Sequence, residues 1–195
     1  MKKKTQKIRF VAIMVTFCLA LFACSTTPKT PPQKDAQRDS IRAMTQQALV
    51  DLYKKEPDAK GVVAGAAGYA VFSDFGFKVM LMGGVHGKGM AVDNAAKQEI
   101  FMKMMELQPG LGVGAEKFRL VLILENSEAY NNFVTSGWEF GANAMAAAKS
   151  SSEGGGAAGV VSLQEGVKMY QLSDTGAIVG VSITGAKYSK DGDLN

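Results

Sequence analysis

Gly110-Leu111-Gly112-Val113-Gly114-Ala115, followed three residues later by Arg119-Leu120-Val121-Leu122-Ile123-Leu124, decides the class of fold. The glycine run carries the letters of a dinucleotide-binding fingerprint. That motif requires a helix after the glycines, whereas residues 118–124 form a short, almost wholly apolar run of strand type. Glycine at every second position instead clears one face of a strand for a close neighbour or a buried acyl chain.

The same grammar extends in both directions. Tyr69-Ala70-Val71-Phe72, Phe77-Lys78-Val79-Met80-Leu81-Met82, Gly89-Met90-Ala91-Val92, Val167-Lys168-Met169-Tyr170 and residues 177–183 are short apolar or alternating runs, and each reads as a strand. All 22 glycines lie in the last 135 residues, more than twice the average usage of about 7%. A mostly helical domain cannot absorb that density, so the expected fold is α+β with a curved, largely antiparallel, Gly-rich sheet or barrel-like core. Gly83-Gly84-Val85-His86-Gly87-Lys88-Gly89 lacks the spacing of a phosphate loop, since Met82 stands where a glycine is required and Gly89 follows Lys88. Strand-like runs on both sides make it a hairpin turn. Residues 97–107 fit a helix or a strand equally well.

Two helices are expected. Ile41, Met44, Ala48, Leu49 and Leu52 recur at helical spacing and give an N-terminal amphipathic helix, with Asp35 or Asp39 at its start and Lys54, Lys55 and Gly61 at its end. A second, short helix runs over 127–136, capped by Asn126 or Ser127 and stopped by Gly137. Residues 150–156, Ser-Ser-Ser-Glu-Gly-Gly-Gly, read as a flexible loop.

The formal charge of +4 and the pI near 9.0 invite a nucleic-acid reading. Five of the 22 basic residues, however, are Lys2, Lys3, Lys4, Lys7 and Arg9, and without them 17 basic residues face 18 acidic ones. The basicity belongs to a leader, so no nucleic-acid partner is expected. Residues 1–23 read as a signal peptide: a lysine-rich start, then an apolar stretch over 10–23 that is shorter than the ~20 residues a spanning helix needs. Its end, Leu21-Phe22-Ala23-Cys24, resembles the lipobox of bacterial lipoproteins, which implies cleavage before Cys24 and acylation of its thiol. In Gram-negative lipoproteins Ser25 at the next position implies sorting to the outer membrane, facing the periplasm. Residues 24–36 carry three of the five prolines and read as a linker between the lipidated cysteine and a domain at 37–195.

Little catalytic chemistry is on offer. His86 is the single histidine, Cys24 is committed to lipid, and there is no Gly-x-Ser-x-Gly elbow, so neither an enzyme, a metal site nor a cofactor is expected. Two features suit lipid: the methionines, among them Met80, Met82, Met102, Met104 and Met105, which can line an adaptable cavity, and the lysines and arginine scattered on strands, Lys78, Lys88, Lys103, Lys117, Arg119, Lys168 and Lys187. The near-neutral charge favours solvated strand edges as the reading of these basic residues, and an ordinary core accounts equally well for the methionines.

The ordered series of 68–72, 83–89, 110–114, 120–126, 133–137 and 180–186 resembles the SYLF domain, a lipid-binding domain of eukaryotic endocytic proteins and of many bacterial lipoproteins. The resemblance covers about residues 37–195. It implies an α+β domain built on a curved antiparallel sheet, phospholipid binding without catalysis, and a strand over 99–107. Actin binding, reported for fungal members, is not expected of an exported bacterial chain. The expected function is therefore a membrane-anchored envelope lipoprotein that binds phospholipid, with Lys88, Gly87, Gly89, Lys103, Lys117 and Arg119 as candidate contacts. The alternative is a non-catalytic envelope scaffold for another protein, touching membrane through its acyl anchor alone. Metabolic labelling with palmitate tests the anchor: the wild-type chain is expected to incorporate label and Cys24→Ala to lose it.

Overall fold

The computed structural model describes residues 28–140, 160–173, 178–179 and 186–195. The lipobox at Cys24, the 150–156 loop and most of the 177–183 run lie outside the described residues. Three helices and seven strands follow one another as α1 (Pro31–Lys55), α2 (Ala59–Gly65), β1 (Gly68–Asp93), β2 (Glu99–Leu124), α3 (Ser127–Ser136), β3 (Trp138–Phe140), β4 (Val160–Gln164), β5 (Val167–Ser173), β6 (Ile178–Val179) and β7 (Ala186–Lys190). The fold is α+β on one curled antiparallel sheet, as the glycine-spaced apolar runs predict.

Two strands of 26 residues each dominate it. β1 and β2 pair antiparallel along their whole length, from Gly68 opposite Leu124 to Val92 opposite Glu99. The three short strands expected over 69–92 are thus one strand, and the expected hairpin turn at 83–89 is part of it. The reversal occurs at 93–98 instead. There the Asp93 carboxylate accepts the Ala95 and Ala96 N–H groups at 2.8 and 2.7 Å, and Lys97 takes a positive φ of 56°. An Asx turn supplies the local hydrogen bonds that reverse a chain; glycines inside a paired strand only let it bend. Residues 99–107 are strand, as the family resemblance implies.

A straight strand of this length would reach about 85 Å, against a diameter of roughly 40 Å for a compact chain of this size. β1 therefore has to curl until its ends meet. A Cβ on Gly68 would strike the Tyr130 ring and the Val92 carbonyl, and one on Gly89 would strike the Val71 carbonyl and the Phe72 side chain. These two glycines are the points where the strand passes over itself. Between Met80 and Met82, β2 advances three residues, Gly112 to Pro109, while β1 advances two. This bulge holds the extra residue and explains how a proline sits inside a long strand.

β2 is the spine. Its other edge pairs with β7 over 102–106 and with β5 over 118–124, while β3 extends the sheet beyond β7 and β4 and β6 flank β5. Even-numbered β2 residues, Met102, Met104, Leu120, Leu122 and Leu124, pack with Phe72, Tyr188 and the α3 residues Tyr130 and Phe133 in the inner core. Phe72 and Tyr188 meet edge to face at 4.9 Å. Odd-numbered Val121 and Ile123 pack outward with Val71, Tyr170 and Leu172 against Ala48, Leu52, Ala59 and Val63 of α1 and α2. Burial on both faces is why 120–124 is continuously apolar rather than alternating.

The helices follow expectation with two differences. α1 buries Ile41, Thr45, Ala48 and Leu52, but begins at Pro31, inside the expected 24–36 linker; proline suits a helix's first turn because the N–H it lacks has no helical partner there. Gly61, expected to stop this helix, lies within α2, with Pro57 in the turn between. α3 spans the residues expected, with the Asn126 side chain accepting the Ala129 N–H at 2.8 Å and Gly137 turning out at φ 66°.

The last residues dock back on the start of β2. Asn195 pairs with Phe101 as a strand would: its side-chain oxygen accepts the Phe101 N–H at 2.9 Å and its amide donates to the Phe101 carbonyl at 2.8 Å. Leu194 is buried, and its carbonyl accepts from Arg38 Nε at 2.8 Å. Gly89→Ala tests the self-crossing of β1: urea denaturation is expected to show a loss of about 1–3 kcal/mol, the cost of overpacking against backbone that cannot retreat, whereas Gly61→Ala, with open space around it, is expected to be neutral or stabilising.

Candidate functional site

Beyond the reach of α1 and α2 the odd-numbered face of β2 changes character. Lys103 and Met105 stand on it with 48% of the lysine side chain and 51% of the methionine exposed. Register builds two rows across three strands. His86, Met105 and Lys187 lie directly opposite one another, as do Lys88, Lys103 and Ser189. Residues directly opposite on neighbouring strands place their Cβ atoms about 5 Å apart, so six side chains share one patch. They line a groove of about 370 Å³ together with Gly87 and Met104.

The groove gathers three ammonium groups around one exposed thioether. Lys88 is opposite Lys103, a like-charge pair that destabilises a sheet unless an anion sits nearby. Asp191 supplies one at the margin: it is 3% exposed, its carboxylate lies 3.3 Å from Lys103 Nζ, and the same oxygen accepts the Asp193 N–H at 3.0 Å. Lys88 and Lys187 lie on the flanking strands, and β3 places Glu139 directly opposite Lys187. The chemistry of the set is the reception of an anion beside an apolar contact.

Of the residues singled out from sequence, Lys88, Lys103 and Gly87 come together here. Gly89 neighbours them in sequence but serves the crossing of β1. Lys117 is exposed on β2 opposite Phe75, outside the groove. Arg119 belongs to the fold: its Nη1 donates to Asp51 Oδ2 at 2.9 Å, with the two side chains only 13% and 20% exposed, so it ties α1 to the sheet. Lys168 is ion-paired with Glu125 at 2.5 Å. His86 and Ser189 escape a reading of the separate runs as lipid contacts, and Lys187 and Met105 enter it only within wider sets of lysines and methionines. The period-two pairs His86-x-Lys88, Lys103-x-Met105 and Lys187-x-Ser189 are visible in the sequence, but only the register shows that they abut.

A second, open groove of about 640 Å³ is lined by Asp35, Arg38, Asp39, Arg42, Lys97, Glu99 and Phe101. Its charges are largely spent on one another: Arg38 pairs with Asp35 at 2.7 Å, and Arg42 pairs with Asp39 and Glu99 at 2.8 Å while lying over the Phe101 ring. Burial, with the Asp93 charge adding to it, pushes the Tyr130 phenol up to about 12, which keeps that group neutral at physiological pH. No group of three or more potential metal ligands occurs among the described residues, and no described helix is long and apolar enough to cross a membrane.

Residues 105–195, which begin at the groove's methionine and end at the turn docked on β2, match the Ysc84 family, Las17-binding protein actin regulator. Over these residues the chain is similar to the Ysc84, or SYLF, family. It is also 33% identical over 173 residues to Beta cell expansion factor A of Aeromonas veronii, an alignment covering 86% of this chain and 61% of that protein. The chain thus spans less than two thirds of its relative's length.

Arg119 and Asp51 give this region a pH signature. Burial raises the Asp51 carboxyl, but hydrogen bonds from Arg119 and Gln47 and the charges of Arg119 and Lys54 outweigh it, leaving the group below its usual range. A carboxyl held lower in the folded than in the unfolded chain stabilises fully above its unfolded value near 4, and that contribution is lost as pH falls through the folded value. Arg119→Met is expected to cost about 1–3 kcal/mol at pH 7, between the values of exposed and buried pairs, and to flatten the acid limb of stability below pH 4. Urea melts from pH 7 to pH 3 check both.

Proposed function

We propose that the domain binds anionic phospholipid headgroups through the groove formed by Lys88, Lys103 and Lys187, in a non-catalytic role, while an acyl chain on Cys24 holds the protein in the cell envelope. One observation carries the reading: three lysines surround a half-exposed methionine on a stretch of outer sheet face beyond the helices. A basic residue near an anionic bilayer contributes about 1 kcal/mol, so three together favour the bound state by roughly a hundredfold. Met105 adds an apolar contact at the depth where headgroup meets acyl chain. Similarity over 105–195 to a family with lipid-binding members supports the same reading. The family's actin-regulator description and the relative's naming as a beta cell expansion factor are properties of those proteins, and an exported bacterial chain has no actin within reach.

Vesicle flotation of residues 25–195 tests the proposal. Binding to phosphatidylglycerol vesicles is expected to exceed binding to phosphatidylcholine vesicles and to fade as salt rises. The Lys88→Ser, Lys187→Ser double variant is expected to lose tenfold or more, and Lys117→Ser to behave as wild type. Equal binding by the double variant and wild type would remove the groove from the reading. An absence of binding to either vesicle would leave the protein-scaffold role with the acyl anchor as sole membrane contact.

A further inference from the structure

Met105 differs from the other methionines whose surroundings are described. Met90, Met102, Met104 and Met169 are buried at 3% exposure or less, and Met44 is half-buried between α1 and the sheet, whereas Met105 is 51% exposed. A thioether is oxidised where oxidant reaches sulfur, so exposure ranks these residues. The register then determines what an oxidised Met105 would meet. His86 lies directly opposite on one side and Lys187 on the other, and an ammonium is a donor that a sulfoxide oxygen accepts.

We propose that Met105 is a selective sulfoxidation site, and that its oxidation weakens the groove's hold on membrane. The sulfur takes one oxygen atom from hydrogen peroxide, with no loss of carbon or hydrogen. The sulfur is oxidised by two electrons, the peroxide O–O bond breaks, and water leaves. The product replaces the groove's exposed apolar contact with a polar oxygen on the residue opposite Lys187. Apolar insertion is lost. The consequence for membrane rests on the function proposed above; the selectivity of oxidation does not.

The full chain is titrated with hydrogen peroxide and digested for mass spectrometry, and the oxidised chain is then floated with phosphatidylglycerol and phosphatidylcholine vesicles. The readout is the excess of anionic over neutral binding beyond that of the Lys88→Ser, Lys187→Ser variant, which carries the same basic, apolar leader. Sulfoxide at Met105 is expected before Met44, Met90, Met102, Met104 and Met169, with the excess binding falling roughly three- to tenfold. Methionine sulfoxide reductase is expected to restore it, and in Met105→Leu the excess, whatever its starting size, is expected to stay constant through the titration. Equal or earlier oxidation of those other methionines would overturn the site. Selective oxidation of Met105 with unchanged vesicle binding would overturn the switch, and loss of binding in the Lys88→Ser, Lys187→Ser variant would show that the function itself stands. If the unoxidised chain showed no anionic excess, both the function and the switch would fall, and selectivity alone would survive.

Discussion

Everything in this domain depends on one ladder. β1 and β2 pair over nearly all of their 26 residues, and a ladder that long cannot lie straight in a chain of this size. Coiling follows, and coiling brings Gly68 to the Val92 carbonyl and Gly89 to that of Val71. The absent side chains at those two places are what allow the turn of the coil to close. The extra residue of β2 near Pro109 lets the two strands bend at different rates. The remaining strands attach to the free edge of β2, each over only part of its length.

A sheet coiled in this way has an inner face that closes on itself and an outer face that does not. The inner face is filled by α3 and the aromatic contacts of Phe72, Phe133 and Tyr188. The outer face is covered only as far as α1 and α2 reach. Where they reach, β2 presents Val121 and Ile123; where they do not, it presents Lys103 and Met105. The groove is thus the uncovered remainder of the surface that elsewhere holds the helices. This accounts for a methionine among lysines without invoking a separate structural element.

Charge is distributed by the same logic. Arg38, Arg42 and Arg119 lie where α1 meets the sheet or the C-terminal turn, and each has a carboxylate within 2.9 Å. Arginine's planar fork suits such fixed pairing, whereas lysine keeps a mobile point charge. The groove uses lysine on all three of its strands. Asp191, held by the turn that docks on Phe101, links one of those lysines to the C-terminal contacts, so the edge of the groove and the anchoring of α1 share residues 191–195.

The sequence alone determined the class of fold, the span of α3 over 127–136 with Gly137 as its stop, and the strand character of the apolar runs at 69–72, 77–82, 89–92, 119–124 and 167–170. These are readable because caps, alternation and glycine spacing act within a few residues. It misplaced the hairpin turn, because glycine permits a bend and a reversal equally well and the deciding Asx hydrogen bonds at Asp93 are less conspicuous than seven residues with four glycines. It set Arg119 and Lys117 beside Lys88 and Lys103 as equals, since charge and strand position are all that one dimension displays. Only the tertiary structure separated them. A one-residue bulge and the reach of α1 decide which odd-numbered side chain meets Asp51 and which faces solvent, and both are set by contacts between segments distant in the chain.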